Sequence, residues 1–184
     1  MTDSPLTAGA PRLVWISRSV RVMAVIGMAG VLGFALAFWT DPGWIRSVAI
    51  EQWKMAGTAV QVDGVSRLMA AVASAPGFAL ALWALWQLWA LFGWYGRGEV
   101  FHPRAIHHLR RFGQAVVAMA PVMPLSDTLT VLALTWFNPP GKRIVMFQLG
   151  SEHYVQLLLG LVLLAIGQVM REAQRMAQEN AEFV

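Results

Sequence analysis

Four long apolar stretches alternate along this chain with shorter segments that hold almost all of its charge. They run over approximately residues 22–39 (Val22 to Trp39), 76–95 (Pro76 to Tyr95), 113–137 (Gly113 to Phe137) and 154–170 (Tyr154 to Met170). Crossing a hydrocarbon core of about 30 Å takes about 20 helical residues, and each stretch is near that length. In lipid, backbone polar groups must be satisfied within the spanning segment, which makes these stretches helices. The pattern predicts an all-α integral membrane protein with four transmembrane helices. It forms a single domain over residues 1–184, with a short N-terminal tail and a last helix that extends past the membrane.

Composition agrees. Of 184 residues, 57% are hydrophobic and 13% are charged, against about 25% charged in an ordinary soluble domain. A net charge of +4 would suggest nucleic acid in a soluble protein. In a membrane protein it raises instead the question of which side holds the cations. Nine arginines, among them Arg97, Arg104, Arg110, Arg111, Arg171 and Arg175, fall on one side of the four spans and five Lys or Arg on the other. By the positive-inside rule this bias predicts that both termini are cytoplasmic. The first stretch carries a cleavage-like Ala35-Leu36-Ala37, but its apolar run exceeds the 7 to 15 residues usual for a signal peptide, so a retained helix is expected. The absence of cysteine excludes disulfides and thiolate metal sites.

The third stretch departs from simple apolarity. In "PVMPLSDTLTVLALTW", Pro121 and Pro124 lack backbone donors and crowd the carbonyls of Val117 and Ala120, predicting a kinked or broken helix. Ser126 and Asp127 follow, both good N-cap residues, and Thr128 and Thr130 add hydroxyls. Asp127 then has two readings. It caps the helix restart as a structural anchor, helped by Arg67, His153 or Gln156; or, with Ser126, Thr130 and the proline break, it forms an ion or proton site of the kind that discontinuous helices make in transporters.

Other features concern packing and the loops. Ala29, Gly33 and Ala37 recur every four residues as a smooth stripe, and Gly160 and Gly167 offer similar close approach on the last span. Gln87 and Gln168 are candidates for an interhelical hydrogen bond, although their depths differ. Trp94 and Tyr95 sit where an aromatic belt belongs. Between the first two spans, Trp44, Ile45 and Val48 predict a helix lying in the interface. Val60 and Val62, alternating with Gln61 and Asp63, and the later "KRIVMFQL" read as short strands of a small periplasmic cap. The loop "GRGEVFHPRAIHHLRRFG" predicts a helix from Pro103 with His102 at its cap.

Catalytic and metal constellations are missing from the sequence. His107 and His108 are adjacent and point about 100° apart on a helix, with no acid cluster to complete a site. No Ser/His/Asp or paired-acid arrangement is visible, and the histidines are not placed to ligate haem within the spans. No enzyme activity, cofactor or metal is expected, and no direct nucleic-acid binding.

The stretch "LWQLWALFGWYGRGEVFHPRAIHHLRRFG", with a third span after it and a last span ending in "GQVMREAQRMAQENAEFV", resembles the bacterial membrane family catalogued as domain of unknown function 2975. The likeness covers roughly residues 76–184. It rests on Tyr95, Gly98, Glu99, Val100 and Phe101, on Leu109-Arg110-Arg111, and on the tail from Arg171-Glu172 through Gln178-Glu179-Asn180 to Phe183-Val184. His102 departs from it, standing where a smaller polar cap is expected. The resemblance implies a four-span inner-membrane protein with no established activity. It also implies a cytoplasmic helix-turn-helix regulator as partner, since family members are often encoded beside one. The function expected is that of a membrane sensor or tether whose cytoplasmic face, or lipid-binding face, comprises Arg97, Arg104, Arg110, Arg111, Arg171 and Arg175. The alternative is a small transporter or ion-coupled subunit using Asp127. Homo-oligomers are compatible with either.

Overall fold

The computed structural model describes residues 10–51, 53, 60 and 62–182. The N-terminal tail, Lys54, Gln61 and the closing Phe183-Val184 lie outside the described residues. Five helices follow in order: α1 (Ala10–Thr40), α2 (Pro42–Glu51), α3 (Gly64–Tyr95), α4 (Pro103–Thr135) and α5 (Ser151–Glu182). Four of them, α1, α3, α4 and α5, are long and apolar enough to cross a membrane, the signature of a multi-pass membrane protein.

Every long helix overruns the apolar stretch that announced it, because helical hydrogen bonding continues where the side chains turn polar. α1 starts at Ala10 and not at Val22, and α3 at Gly64 and not at Pro76. Pro76 therefore lies inside a helix and removes the amide that would have bonded the Val72 carbonyl. The predicted break in α4 is absent: one helix runs from Pro103 through both Pro121 and Pro124 to Thr135. Asp127 thus sits mid-helix and caps nothing.

Local sequence explains the shorter elements. Asp41 starts α2 by accepting from the amides of Gly43 at 2.8 Å and Trp44 at 3.3 Å, with Pro42 pre-set for the first helical position. Ile45 and Ala49 are its fully buried face. The α3–α4 connection turns through Gly98, whose φ of 79° suits a residue without Cβ. His102 then caps α4, its Nδ1 accepting from the Arg104 amide at 3.1 Å. A histidine thus does the work of the expected small cap residue.

The long helices lie side by side in the order α1, α3, α4, α5, each packed chiefly on the next. This is an open row, in which α1 and α5 each have one principal long neighbour, and not a closed bundle. Packing is closest between α4 and α5. A Cβ built on Gly160 would stand 2.8 Å from the Val117 backbone nitrogen, and one on Gly167 2.6 Å from Arg110 Cγ, so both glycines are used as the sequence suggested. The Ala29, Gly33, Ala37 stripe is not: all three residues are exposed, and nothing lies within 4 Å of a Cβ on Gly33. The face of α1 turned toward α3 carries Ser17, Arg21, Ala24 and Gly27 instead.

Two apolar clusters mark the ends of the row. At the arginine-rich end Leu91, Ala105 and Leu109 pack with Trp94, Tyr95, Leu163 and Met170. At the opposite end, α2 and the loops cover Phe38, Ala70, Val131 and Leu134, with Val60, Val62, Ile144 and Met146 packed against them. The predicted cap is therefore present in part, but no strand occurs among the described residues. Residues 142–149 are extended and do alternate: Ile144 and Met146 turn in, while Val145, Phe147 and Leu149 turn out. Their partner is a helix. The Ile144 amide donates to Thr135 Oγ1 at 3.2 Å, and Thr128 Oγ1 donates to the Met146 carbonyl at 2.8 Å. Thr128 and Thr135 are two turns apart on one face of α4, so their hydroxyls take the place of a neighbouring strand.

Candidate functional site

Asp127 lies about 12 Å from the C-terminal end of α4, counting 1.5 Å per residue to Thr135. It is exposed on the wall of a cavity of about 390 Å³ near the α2 end. Six aromatic side chains from four elements line that cavity: Phe34, Phe38 and Trp39 from α1, Trp44 from α2, Trp53 beyond it, and Phe78 from α3. Ser74, Val48 and Thr130 complete the lining. Asp127 contributes its only carboxylate among the described residues.

The aromatic wall is held by its own contacts. Phe34 and Phe38 stack with centroids 5.7 Å apart, one turn along α1. Trp44 meets both edge-on, at 5.2 and 5.7 Å, and Trp39 meets Phe38 at 4.9 Å. Edge-to-face pairs are favourable beyond the area they bury, so the cavity keeps its shape without an occupant.

Of the polar groups in the cavity wall, Ser74 Oγ donates to the Ala71 carbonyl at 2.9 Å, while others lack partners among the described residues. No described residue donates a hydrogen bond to Asp127, and Arg67 and Gln156, which the sequence offered as helpers, make none with it. His153 at the head of α5 is within electrostatic range of the carboxylate. Thr130 is 2% exposed, and its Oγ1 is buried without a hydrogen bond, as is Nε1 of Trp39. Unsatisfied buried donors are rare enough in native proteins that two beside one free carboxylate point to a wet or ligand-bearing site.

The other predicted site residues divide. Thr130 lies one turn from Asp127 and shares the cavity. Ser126 faces α3, its Oγ 3.8 Å from where a Cβ on Gly77 would be. Pro124 is fully buried and Pro121 exposed. Since Gly77 follows Pro76, the proline regions of α3 and α4 pack against each other. The sequence named the carboxylate but missed the aromatics, because they come from four separate elements that only the fold brings together.

Gln87 and Gln168 do not pair. Gln168 is exposed on α5, whereas Gln87 is 4% exposed and its Oε1 lies 2.7 Å from His108 Nδ1. Part of the signal for this pair was available: in an antiparallel hairpin turning at residues 96–102, positions at like distances from the turn share a depth, and those of Gln87 and His108 agree to within one helical turn.

The predicted arginine face splits into three. Arg97 and Arg104 place their guanidiniums 4.3 and 5.7 Å from the Trp94 ring, on which His102 also stacks at 4.2 Å. Arg110 and Arg111 line a shallow polar depression with His107 and Gln114. On the α5 extension, Arg175 pairs with Glu172 at 2.7 Å and Glu179 at 3.5 Å, and Arg171 is exposed. No group of three or more His, Cys, Asp or Glu suited to a metal occurs among the described residues.

The family described as Protein of unknown function (DUF2975) matches residues 50–184. The chain belongs to that family. The match extends the sequence resemblance back to the end of α2, and it includes Asp127, Phe78 and Trp53 of the cavity but not α1. No curated protein and no solved structure matches the chain.

Proposed function

We propose that this DUF2975 protein is a non-enzymatic sensor of the bacterial inner membrane that takes a small organic cation, such as an alkylated ammonium, into the aromatic cavity at Asp127. One observation carries the reading: six aromatic side chains share a cavity wall with a carboxylate that has no hydrogen-bond donor among the described residues. Aromatic faces attract cations, most strongly when desolvated. The carboxylate supplies the countercharge, and about 390 Å³ suits a small molecule. The arginine bias puts the opposite end in the cytoplasm, so the cavity opens on the periplasmic side. Occupancy is relayed along α4 to the arginine-rich end, where a cytoplasmic helix-turn-helix regulator is the proposed partner and exposed Arg104, Arg111 and Arg171 its contacts.

A second reading, transport coupled to Asp127, is favoured by one feature: Pro76 on α3 packs beside the proline region of α4, pairing two weakened helices as a hinge. The seam between α1 and α3 is closed midway, where a Cβ on Gly27 would meet Leu85 at 3.3 Å. That closure between the two ends of the seam favours the receptor.

The test is a titration of detergent-purified protein with tetramethylammonium and choline, following tryptophan emission, with sodium as control. Saturable quenching by the organic cations is expected, weakened at least about tenfold, or about 1.4 kcal/mol, in Asp127→Asn. No saturable change in the wild type, or equal binding by the variant, refutes the reading. Uptake of the same cations into proteoliposomes would select transport over sensing.

A further inference from the structure

The α1–α3 seam opens a second time at the arginine-rich end, into a cleft of about 550 Å³. Arg18 and Arg21 of α1 and Arg97 beyond α3 line it, and none pairs with a carboxylate of the described residues. Arg21 lies 4.5 Å over the Trp89 ring, and its Nε is buried without a hydrogen bond. One turn away Ser17 is 1% exposed, and its Oγ is also buried and unpartnered. Arg97 is held by Nε donating to the Gly93 carbonyl at 3.2 Å and by stacking on Trp94, which leaves its terminal nitrogens free. Gly93 and Gly96 keep the α3 wall low: a Cβ on Gly96 would stand 3.3 Å from Ser17 Cβ.

We propose that this cleft is a binding site for an anionic phospholipid, with the phosphodiester held by Arg18, Arg21, Arg97 and Ser17 and an acyl chain laid along Val22, Val25 and Ile26. Three guanidiniums without countercharge, and two buried donors without acceptors, match a phosphate's charge and its acceptor oxygens. A free phosphate compound would satisfy the same donors. The apolar wall decides for lipid, because Val22, Val25 and Ile26 continue from the arginines onto the outward face of α1, each about half exposed. Basic pockets between transmembrane helices recognise acidic headgroups by this chemistry.

Native mass spectrometry of the full chain in detergent, titrated with phosphatidylglycerol or with phosphatidylcholine of the same chains, tests the site. Phosphatidylglycerol is expected to bind more tightly, losing about fivefold in Arg21→Gln, the change expected for one arginine at an anionic surface. Arg46→Gln, on α2 at the other end of the molecule, should bind as wild type. Inorganic phosphate should not compete. Ser17→Ala and Arg21→Lys give independent readouts should Arg21→Gln fail to fold: the first loses a donor, the second keeps the charge. Equal binding of the two lipids, or Arg21→Gln or Ser17→Ala binding as wild type, overturns the proposal. Competition by inorganic phosphate overturns the lipid assignment in favour of a soluble phosphate ligand.

Discussion

Replacing glycines one at a time by alanine separates the helix contacts that hold the row from those that merely look capable of it. At Gly160 the added Cβ would lie 2.6 Å from Val117 Cγ2, 2.8 Å from the Val117 nitrogen and 3.2 Å from the Gly113 carbonyl oxygen. The valine methyl can rotate, but the two backbone atoms cannot. Since heavy atoms pack best at about 3.5–4.0 Å, α5 must retreat from α4 by more than half an ångström at the point of closest approach. Such overpacking costs roughly 2–3 kcal/mol, and alanine returns about 1 kcal/mol of helix propensity. The net expectation is a loss of about 1–2 kcal/mol. At Gly167 the crowded atom is Arg110 Cγ, part of a side chain that can swing away, so Gly167→Ala should be close to neutral. At Gly33 nothing lies within 4 Å, and Gly33→Ala should be neutral or stabilising by up to about 1 kcal/mol. Unfolding in mixed micelles of mild detergent and rising dodecyl sulfate, followed by circular dichroism, measures all three. A Gly33 variant less stable than the Gly160 variant would show that the Ala29, Gly33, Ala37 stripe is the working interface after all and that the α4–α5 register is wrong.

Thr135→Val keeps the volume of a fully buried side chain but leaves the Ile144 amide without its acceptor, at a cost of about 1–3 kcal/mol; limited proteolysis should cut residues 137–150 faster, and unchanged cutting would deny that α4 hydroxyls hold this segment. His102→Ala removes the cap of α4 and should cost about 1 kcal/mol; hydrogen exchange should quicken at the amides of the first turn, and protection equal to wild type would count against the cap. Asp127→Asn should leave stability within about 0.5 kcal/mol, because the carboxylate has no donor to lose. A large loss in the same micelle titration would restore the anchoring role.

The spans were legible because hydropathy reports where lipid must be. The helix ends were not, because lipid stops mattering there while the backbone ladder goes on: α3 runs through twelve residues before Pro76 that read as loop. The inward and outward alternation of residues 142–149 was legible as well, but alternation does not say what supplies the hydrogen bonds, and here threonines on a helix do. Asp127 stood out as an acid in an apolar run. Its aromatic surroundings did not, because Phe34 and Phe78, like Trp53, are unremarkable in their own segments and meet only when α1, α2 and α3 converge. Prolines misled most. Proline penalties are set by free helices, whereas α4 is packed between α3 and α5, and those neighbours help hold it as one helix through both prolines.

The contact of Gly27 with Leu85 lies midway along the α1–α3 seam, with the aromatic cavity on one side of it and the arginine cleft on the other. α1 is one wall of both openings, held on its inner face by Ser17 against Gly96 and by Gly27 against Leu85, and free along its outer face. A displacement of this single helix would therefore alter the room at both openings together, on opposite sides of the membrane.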